Sequence, residues 1–463
     1  MPQPDRTAAV RTMTGGCDHV PEISGILTAE QLVTTGAAIA ATQQADGSIG
    51  WPDGHVDAWN HVECAMALSV CGLHAEARRA YAWLASAQQP DGSWLVQPAP
   101  GGPVPGDSVP GDLASGSAAQ ERTTESNHAA YCAVGVWHEL LVTGDEEFAA
   151  AMWPVVRAAV DFALGLQTPR GEIIWRRHED GRPDDYALLT GSSSMYHSLR
   201  CAIALAERLG QPRPGWELAA ARLGHAVACH PEAFADKSRF SMDWYYPVLG
   251  GAVRGAAAEQ MLKAGWDTFV VAGLGVRCVS DEPWVTGAET CELALALEAL
   301  GEPDRALEMF EQIQFLRAED GAYWTGWQFE NGKYYPHERS SYTAAAVVLA
   351  ADALAASAGG VSSGAARIFR HDGVAVPVLP ILPTGSGPVL PAAPALAAEP
   401  ALAAGPALAA GPAAPAGAAA PAGPAAGAAG LAWSAGRPGR AGGARLAVAC
   451  GCPMALAAEP VSD

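Results

Sequence analysis

Residues 28 to 358 alternate between two kinds of helix-forming segment, a pattern that few architectures can accept. Six apolar, Ala-rich segments (Asp57–Cys71, Glu125–Leu141, Ser192–Leu209, Trp244–Arg254, Thr286–Leu300 and Ser340–Leu354) read as buried nearly all round. Six more charged ones precede or separate them (Thr28–Gln43, Ala75–Gln89, Asp145–Gln167, Trp216–Cys229, Ala256–Ala264 and Pro303–Leu316), each apolar along one side only. Boundary signals agree. Thr28 with Gln31 makes a capping box, Asp145-Glu146-Glu147 places acids in a first turn, and Gly72, Gly210 and Gly301 stand just past helix ends. A solenoid would keep its inner helices one-sided and its repeat uniform, whereas long loops enter the inner segments here at unequal intervals. With no segment of strand periodicity, the sequence predicts an all-α, single-domain (α/α)6 toroid: six inner helices enclosed by six outer ones, with a functional rim where the long loops gather.

Composition changes abruptly near residue 358. From Pro391 to Gly430, 22 Ala, 8 Pro and 6 Gly make up 36 of 40 residues. In such a mixture Ala favours helix, Pro breaks it, and almost nothing large can be buried. The expected organisation is an N-terminal extension over 1–27, the toroid over 28–358, and a disordered low-complexity tail over 359–463 that also has the look of a gene read out of frame. That tail has five Arg against four acids, so the whole deficit behind the net charge of −21 lies before it. An acidic domain lacks the basic footprint that nucleic acid or an anionic membrane requires. No apolar run is long enough to span a bilayer. The start, MPQPDRTAAVRT, lacks the basic-then-apolar order of a secretory signal. Ten cysteines, scattered singly apart from Cys450 and Cys452, make no CxxC pair or disulfide framework. The expectation is a soluble, cytoplasmic protein with a small-molecule substrate, no cofactor and no transmembrane segment.

A second repeat lies at the ends of the amphipathic segments. Gln44-Ala45-Asp46-Gly47, Gln89-Pro90-Asp91-Gly92-Ser93-Trp94, Gln167 to Gly171 with Trp175, and Glu319-Asp320-Gly321-Ala322-Tyr323-Trp324 share a pattern of helix-end Gln or Glu, a tight Gly turn and an aromatic. It resembles the QxDGSW repeat of the squalene/terpene cyclase and protein prenyltransferase superfamily, over roughly residues 28 to 358. The resemblance implies an isoprenoid-handling toroid, but the superfamily's DxDD, DDxxD and zinc-binding DxC motifs are missing, so none of its catalytic residues carries over.

In a ring of this kind the N-terminal ends of the inner helices and the loops before them would line one mouth. Those stretches supply carboxylates expected to carry the chemistry, Asp57, Glu63, Glu125, Asp243 and Glu289. They also supply binding residues, Trp51, Trp59, Asn60, His61, Asn127, His128, His197, Trp244, Tyr245, Trp284, Trp324, Trp327, Tyr335 and Glu338. Asp57 reads equally as an N-cap and Glu125 as a complement to a helix dipole. His61, His128 and His197 stand near the starts of three successive inner helices; with Glu63 or Glu125 they could hold zinc, although hydrogen-bonding histidines are the plainer account.

Three functions are compatible with these residues. The resemblance favours a terpene-cyclase/prenyltransferase-like enzyme acting on an isoprenoid or comparably apolar group. In that reading Asp57, Asp243 or Glu289 protonates the substrate and His61 or His128 supports the acid. The second is a six-hairpin glycosidase on the same ring, in which two carboxylates flank a glycosidic bond and Trp and Tyr stack on sugar faces. Trp137–Val160, with Gly144-Asp145 and Trp153-Pro154, looks like a hairpin of such enzymes, and the acidity suits neutral sugars better than diphosphates. The third is a ring that binds without catalysing.

Overall fold

The computed structural model describes residues 20–95, 123–372 and 374. It is an (α/α)6 toroid, as expected. The outer helices are α1 (Ala29–Ala40), α3 (His74–Ala87), α6 (Glu146–Leu164), α8 (Pro214–Cys229), α10 (Gly255–Phe269) and α12 (Pro303–Gln312). The inner ones are α2 (Ala58–Val70), α4 with α5 (Ser126–Ala130 and Cys132–Thr143, broken at Tyr131), α7 (Leu189–Arg208), α9 (Ser241–Leu249), α11 (Gly287–Leu300) and α13 (Ser341–Ser357). Each inner helix packs on the next, and α13 packs back on α2 to close the ring. Thr28 and Gln31 form the capping box at 3.2 and 2.9 Å. Burial follows the two classes: twelve of the fourteen residues of α11 are buried, against three of ten in α12.

The sequence gives no strand signal, yet short strands decorate the mouth. β1 (Thr123–Glu125) pairs with β2 (Arg176–His178). β3 (Val270–Val271), β4 (Gly275–Arg277), β5 (Trp284–Thr286), β6 (Gly326–Gln328) and β7 (Lys333–Tyr334) form one antiparallel sheet in that order. At two or three residues each, they are too short for a period-2 pattern to register. No helix among the described residues is long and apolar enough to cross a membrane.

The Gln-and-Gly repeat is an architectural staple. The glutamine in use stands four residues before the glycine, so it is Gln43 and Gln88, one place earlier than the motif suggests, and Gln167. Gln43 Nε2 donates to the Gly47 carbonyl of its own turn and to Glu76 O, both at 3.0 Å. Gln88 does the same to Gly92 (3.1 Å) and Val155 (2.9 Å), and Gln167 to Gly171 and Ala219, both at 2.9 Å. In the fourth copy Arg317 takes the position and reaches Gln31 O at 3.2 Å. Every staple therefore ties one outer helix to the next, α1 to α3, α3 to α6, α6 to α8 and α12 to α1. The glycines have φ of +98°, +92°, +113° and +87°, and each presses on the neighbouring helix's backbone. A Cβ on Gly92 would lie 2.1 Å from Ala158 O. We expect Gly92→Ala to destabilise the protein by about 3 kcal/mol or more, summing left-handed strain and overpacking; a denaturant midpoint unchanged from wild type would refute this role for the staple.

The packed chain exceeds the expected boundaries at both ends. Val20, Ile23 and Leu27 belong to the core. Beyond α13, Ser363 N donates to Asp352 Oδ1 at 2.7 Å and a turn of 3₁₀ helix follows (Ala365–Ile368). Phe369, His371 and Val374 are buried at the ring's far end, at the C-terminal ends of the inner helices. This segment is apolar enough to cover the ring floor, and the composition change beyond it hid that role. The rest of the expected tail lies outside the described residues.

Candidate active site

The mouth is organised by the first turns of the inner helices. Asp57 caps α2, accepting from Asn60 N at 2.9 Å, and its other oxygen accepts from Trp51 Nε1. The cap reading of Asp57 is thus satisfied together with a second hydrogen bond. Trp51 stacks on His55 and on Tyr342, with centroids 5.8 and 5.5 Å apart. Trp59 donates to Glu63 Oε1 one turn deeper at 2.9 Å, and the Tyr131 hydroxyl donates to the same oxygen at 2.9 Å. On α11, Glu292 accepts from the hydroxyls of Tyr245, Tyr246 (2.7 Å) and Tyr342 (2.8 Å).

Burial pushes Glu63 up to about 7, helped by the charge of Asp57 and opposed by its two hydrogen bonds. Burial likewise pushes Glu292 up to about 8, with Glu63 and Glu289 adding to the effect. Both therefore favour the protonated form around neutrality. The cavity below them, lined by Glu63, Tyr131, His197, Tyr246, Glu292 and Phe369 among others, holds only about 30 Å³. That is about the space of a water molecule. A substrate must sit above this floor, in the mouth.

The remaining expected carboxylates stand higher. Glu289 is the third residue of α11, one turn nearer the mouth than Glu292, and takes a hydrogen bond from the Cys278 thiol. Glu125 accepts from Trp175 Nε1 at 2.9 Å, with His128 Nε2 at 3.3 Å. Asp243 is occupied by Thr190, whose backbone N–H and hydroxyl donate to Oδ1 at 3.2 and 2.6 Å, capping the first turn of α7; burial raises its pKa. Glu338 lies 3.4 Å from the Thr325 hydroxyl and is also raised by burial. Around the β-sheet, Trp324 stacks on Tyr334 (4.5 Å), Trp327 meets Tyr334 edge-on (5.2 Å), and Trp284 meets Tyr335 edge-on (5.2 Å) while donating to Tyr335 O.

Several expected binding residues face elsewhere. His61 is fully buried against the outer layer. It accepts from Ile49 N at 3.1 Å, lies 2.8 Å from Ala80 O, packs on Trp83, and burial pushes it down to about 4. Trp244 likewise packs outward, stacking on Phe269 at 5.4 Å and donating to Met261 O. Asn60 is fully buried and its carbonyl accepts from Ser341; Asn127 is buried beside Gly191. His197 sits at the floor, stacked on Phe369 at 6.0 Å, and burial pushes it down to about 3. The three histidines therefore do not converge, and no group of metal-ligating side chains is found among the described residues. Glu292, Tyr131, Tyr342 and Trp175 escaped the sequence reading, although a glutamate inside a segment read as buried all round is itself a signal.

No family model matches the chain. Over 338 residues, 73% of this chain and 89% of the relative, it is 52% identical to the MMP endo-(1,4)-3-O-methyl-alpha-D-mannosidase of Mycolicibacterium hassiacum. The chain belongs to that mannosidase's family. Among solved structures it resembles a glycosidase variant in complex with glucose (TM-score 0.53, 15% identity, 70% of this chain and 96% of that one). It also resembles a D-mannose isomerase (TM-score 0.53, 12% identity, 77% and 100%) and a GH63 mannosylglycerate hydrolase from Thermus thermophilus (TM-score 0.50, 12% identity, 69% and 99%). These likenesses show the shared fold. The mannosidase match overturns the assignment to the terpene cyclase and prenyltransferase superfamily, and with it the isoprenoid substrate. The misassignment has a physical cause, because the Gln-and-Gly staple of the repeat joins outer helices, and only its trailing aromatics Trp175 and Trp324 reach the mouth. Of the three functions weighed, the glycosidase is the one the family supports.

Proposed function

We propose that the chain is an endo-acting glycoside hydrolase cleaving α-(1→4) bonds between 3-O-methylated mannose units, with Asp57 and Glu289 as its carboxyl pair. The observation that carries the reading is 52% identity along most of a mannosidase of that description. The choice of carboxylates rests on their place in the first turns of the inner helices. Glu63 and Glu292 lie one turn deeper, held by five indole and phenol donors above a void too small for a sugar ring, and Asp243 caps the first turn of α7 through Thr190. Asp57 and Glu289 stand at the N-terminal ends of the two inner helices that flank α13. One protonates the departing glycosidic oxygen, and the other acts on the anomeric side, as a base toward water or as a nucleophile. Trp51, Trp59 and Tyr342 supply ring faces against which sugar C–H groups and methyl ethers pack. Buried thiols such as Cys64, Cys132 and Cys291, each without a disulfide, suit a cytoplasmic location.

The test is digestion of a 3-O-methylated α-(1→4)-mannan oligosaccharide beside its unmethylated counterpart, with products sized by mass spectrometry. Internal fragments from the methylated chain, released at least about tenfold faster than from the bare one, are expected if the pocket reads the methyl groups by apolar contact. Release of terminal monosaccharide alone, or no preference for methylation, would overturn the assignment.

A further inference from the structure

Glu63 and Glu292 have no part in the proposed chemistry, yet between them they hold five aromatic donors at the base of the mouth. Trp59 Nε1 and the Tyr131 hydroxyl both donate to Glu63 Oε1 at 2.9 Å. The hydroxyls of Tyr245, Tyr246 and Tyr342 donate to Glu292. The rings follow one another closely. Tyr131 lies 5.5 Å from Trp59, Trp59 lies 6.2 Å from Tyr246, and Tyr342 lies 5.5 Å from Trp51, whose indole N–H is given to Asp57. α2, α9, α13 and the break between α4 and α5 thus each set one ring in an arc, with Trp51 at its end and Tyr245 sealed behind it. Because Trp51 is bonded to Asp57, and Tyr342 to the glutamate one turn below Glu289, the arc runs between the two proposed reacting carboxyls. Tyr131, Tyr246 and Tyr342 are 6, 5 and 9% exposed, the range of Asp57 (7%) and Glu289 (6%), and Trp51 and Trp59 are half-buried. The arc is therefore as open as the carboxyls themselves. Each of its indole N–H and phenol O–H groups is spent inside the protein, and what remains for a ligand is chiefly carbon.

We infer, on the strength of the glycosidase reading above, that Glu63 and Glu292 are positioning residues for methyl selectivity. By holding these donors they leave the base of the cleft with ring faces, which take a 3-O-methyl ether and refuse a free hydroxyl. A methyl ether packs on an aromatic face through its C–H groups and has no donor to satisfy. An unmethylated hydroxyl directed at the same faces gives up water and finds no partner, and an unpaired polar group is costly. Reading one methyl group by apolar contact is worth about 10–200-fold. The glutamates matter because an indole released from Glu63 can turn its N–H toward the mouth, where it would bond a hydroxyl and erase the distinction.

The readout is kcat/KM of the full chain on a 3-O-methylated α-(1→4)-mannan oligosaccharide, divided by that on its unmethylated counterpart. Glu63→Leu removes the acceptor at similar volume and should lower this ratio about tenfold, toward one. Glu63→Gln keeps an oxygen that can accept from both Trp59 and Tyr131, and should hold the ratio within about threefold of wild type. A merely structural glutamate would lower both rates together in Glu63→Leu and leave the ratio where it was, which would overturn the inference. Should Glu63→Leu fail to fold, the half-buried Trp59 decides. Trp59→Phe keeps a ring face and should retain the preference, while Trp59→Gln puts an amide in its place and should lose it; equal ratios in these two variants overturn the inference as well. A wild type that cleaves neither saccharide, or both alike, refutes the reading of the substrate and this role with it. A wild type with the preference and a Glu63→Leu that retains it refute this role alone.

Discussion

Glu289→Gln and Asp57→Asn are each expected to lower kcat on a methylated mannoside by about 10²–10⁴-fold, the usual loss when a positioned acid or base is removed. Neither change should unfold the chain, although the Nδ2 of Asp57→Asn faces the Trp51 indole N–H and loses that hydrogen bond. Asn caps a helix as well as Asp does, so the bond from Asn60 N to residue 57 survives, and Gln preserves the shape of Glu289. A cooperative unfolding transition near the wild-type Tm beside the lost activity would separate chemistry from stability. Azide then tells the two roles apart: it should restore turnover to the alanine variant lacking the group that acts on the anomeric side, giving a glycosyl azide. A substrate with an activated leaving group should rescue the variant lacking the acid. Full activity in either isosteric variant would move the reaction to other carboxylates, with Glu125 next in line at the mouth.

Stability should fall as pH rises from about 6.5 to 8, and Glu292→Gln should remove much of that fall. An unfolded chain loses its carboxyl protons near 4.5, whereas the folded chain keeps those of Glu63 to about 7 and Glu292 to about 8. Where the native state holds the extra protons, stability decreases with pH. Below about 6.5 the buried histidines His61 and His197, pushed down to about 4 and 3, work in the opposite sense. At pH 6.5 these histidines, and the equally buried His138, pushed down to about 3, are still half protonated in the unfolded chain, so they offset part of the fall until about pH 7.5, above which the carboxyls dominate. A pKa difference of one is worth ~1.4 kcal/mol, so the two carboxyls contribute roughly 2–3 kcal/mol over this window, the larger share from Glu292, and the histidines return about 1 kcal/mol of it. Denaturant titrations of wild type and Glu292→Gln at pH 6.5 and 8 check the sign and the size; an equal fall in both proteins would show that Glu292 is already ionised in its cage of three tyrosines.

Much of the architecture was legible because it is local. Helical period, capping residues and turn glycines act within a few positions, so Thr28 with Gln31 begins its helix and Gly301 ends one as their types demand. Asp57, Glu63, Trp51 and Trp59 could be placed near the mouth on the same grounds. The family assignment failed because a motif whose Gln and Gly join outer helices reports on how the ring is built and not on the carboxylates of the mouth. The missed residues failed for another reason. An inner helix is buried on both sides, so no polar stripe marks which face looks inward, and its sequence has a period without a phase. His61 and Glu63 sit two residues apart on α2, and only packing turns the first toward Trp83 in the outer layer and the second toward Tyr131 across the ring. The sequence by itself determined twelve alternating helical segments, several of their caps and the acidity of the whole. The tertiary structure decided which buried carboxylates share a cavity, which are sealed under tyrosines and which remain open to a sugar, because those distinctions depend on contacts between helices distant in the chain.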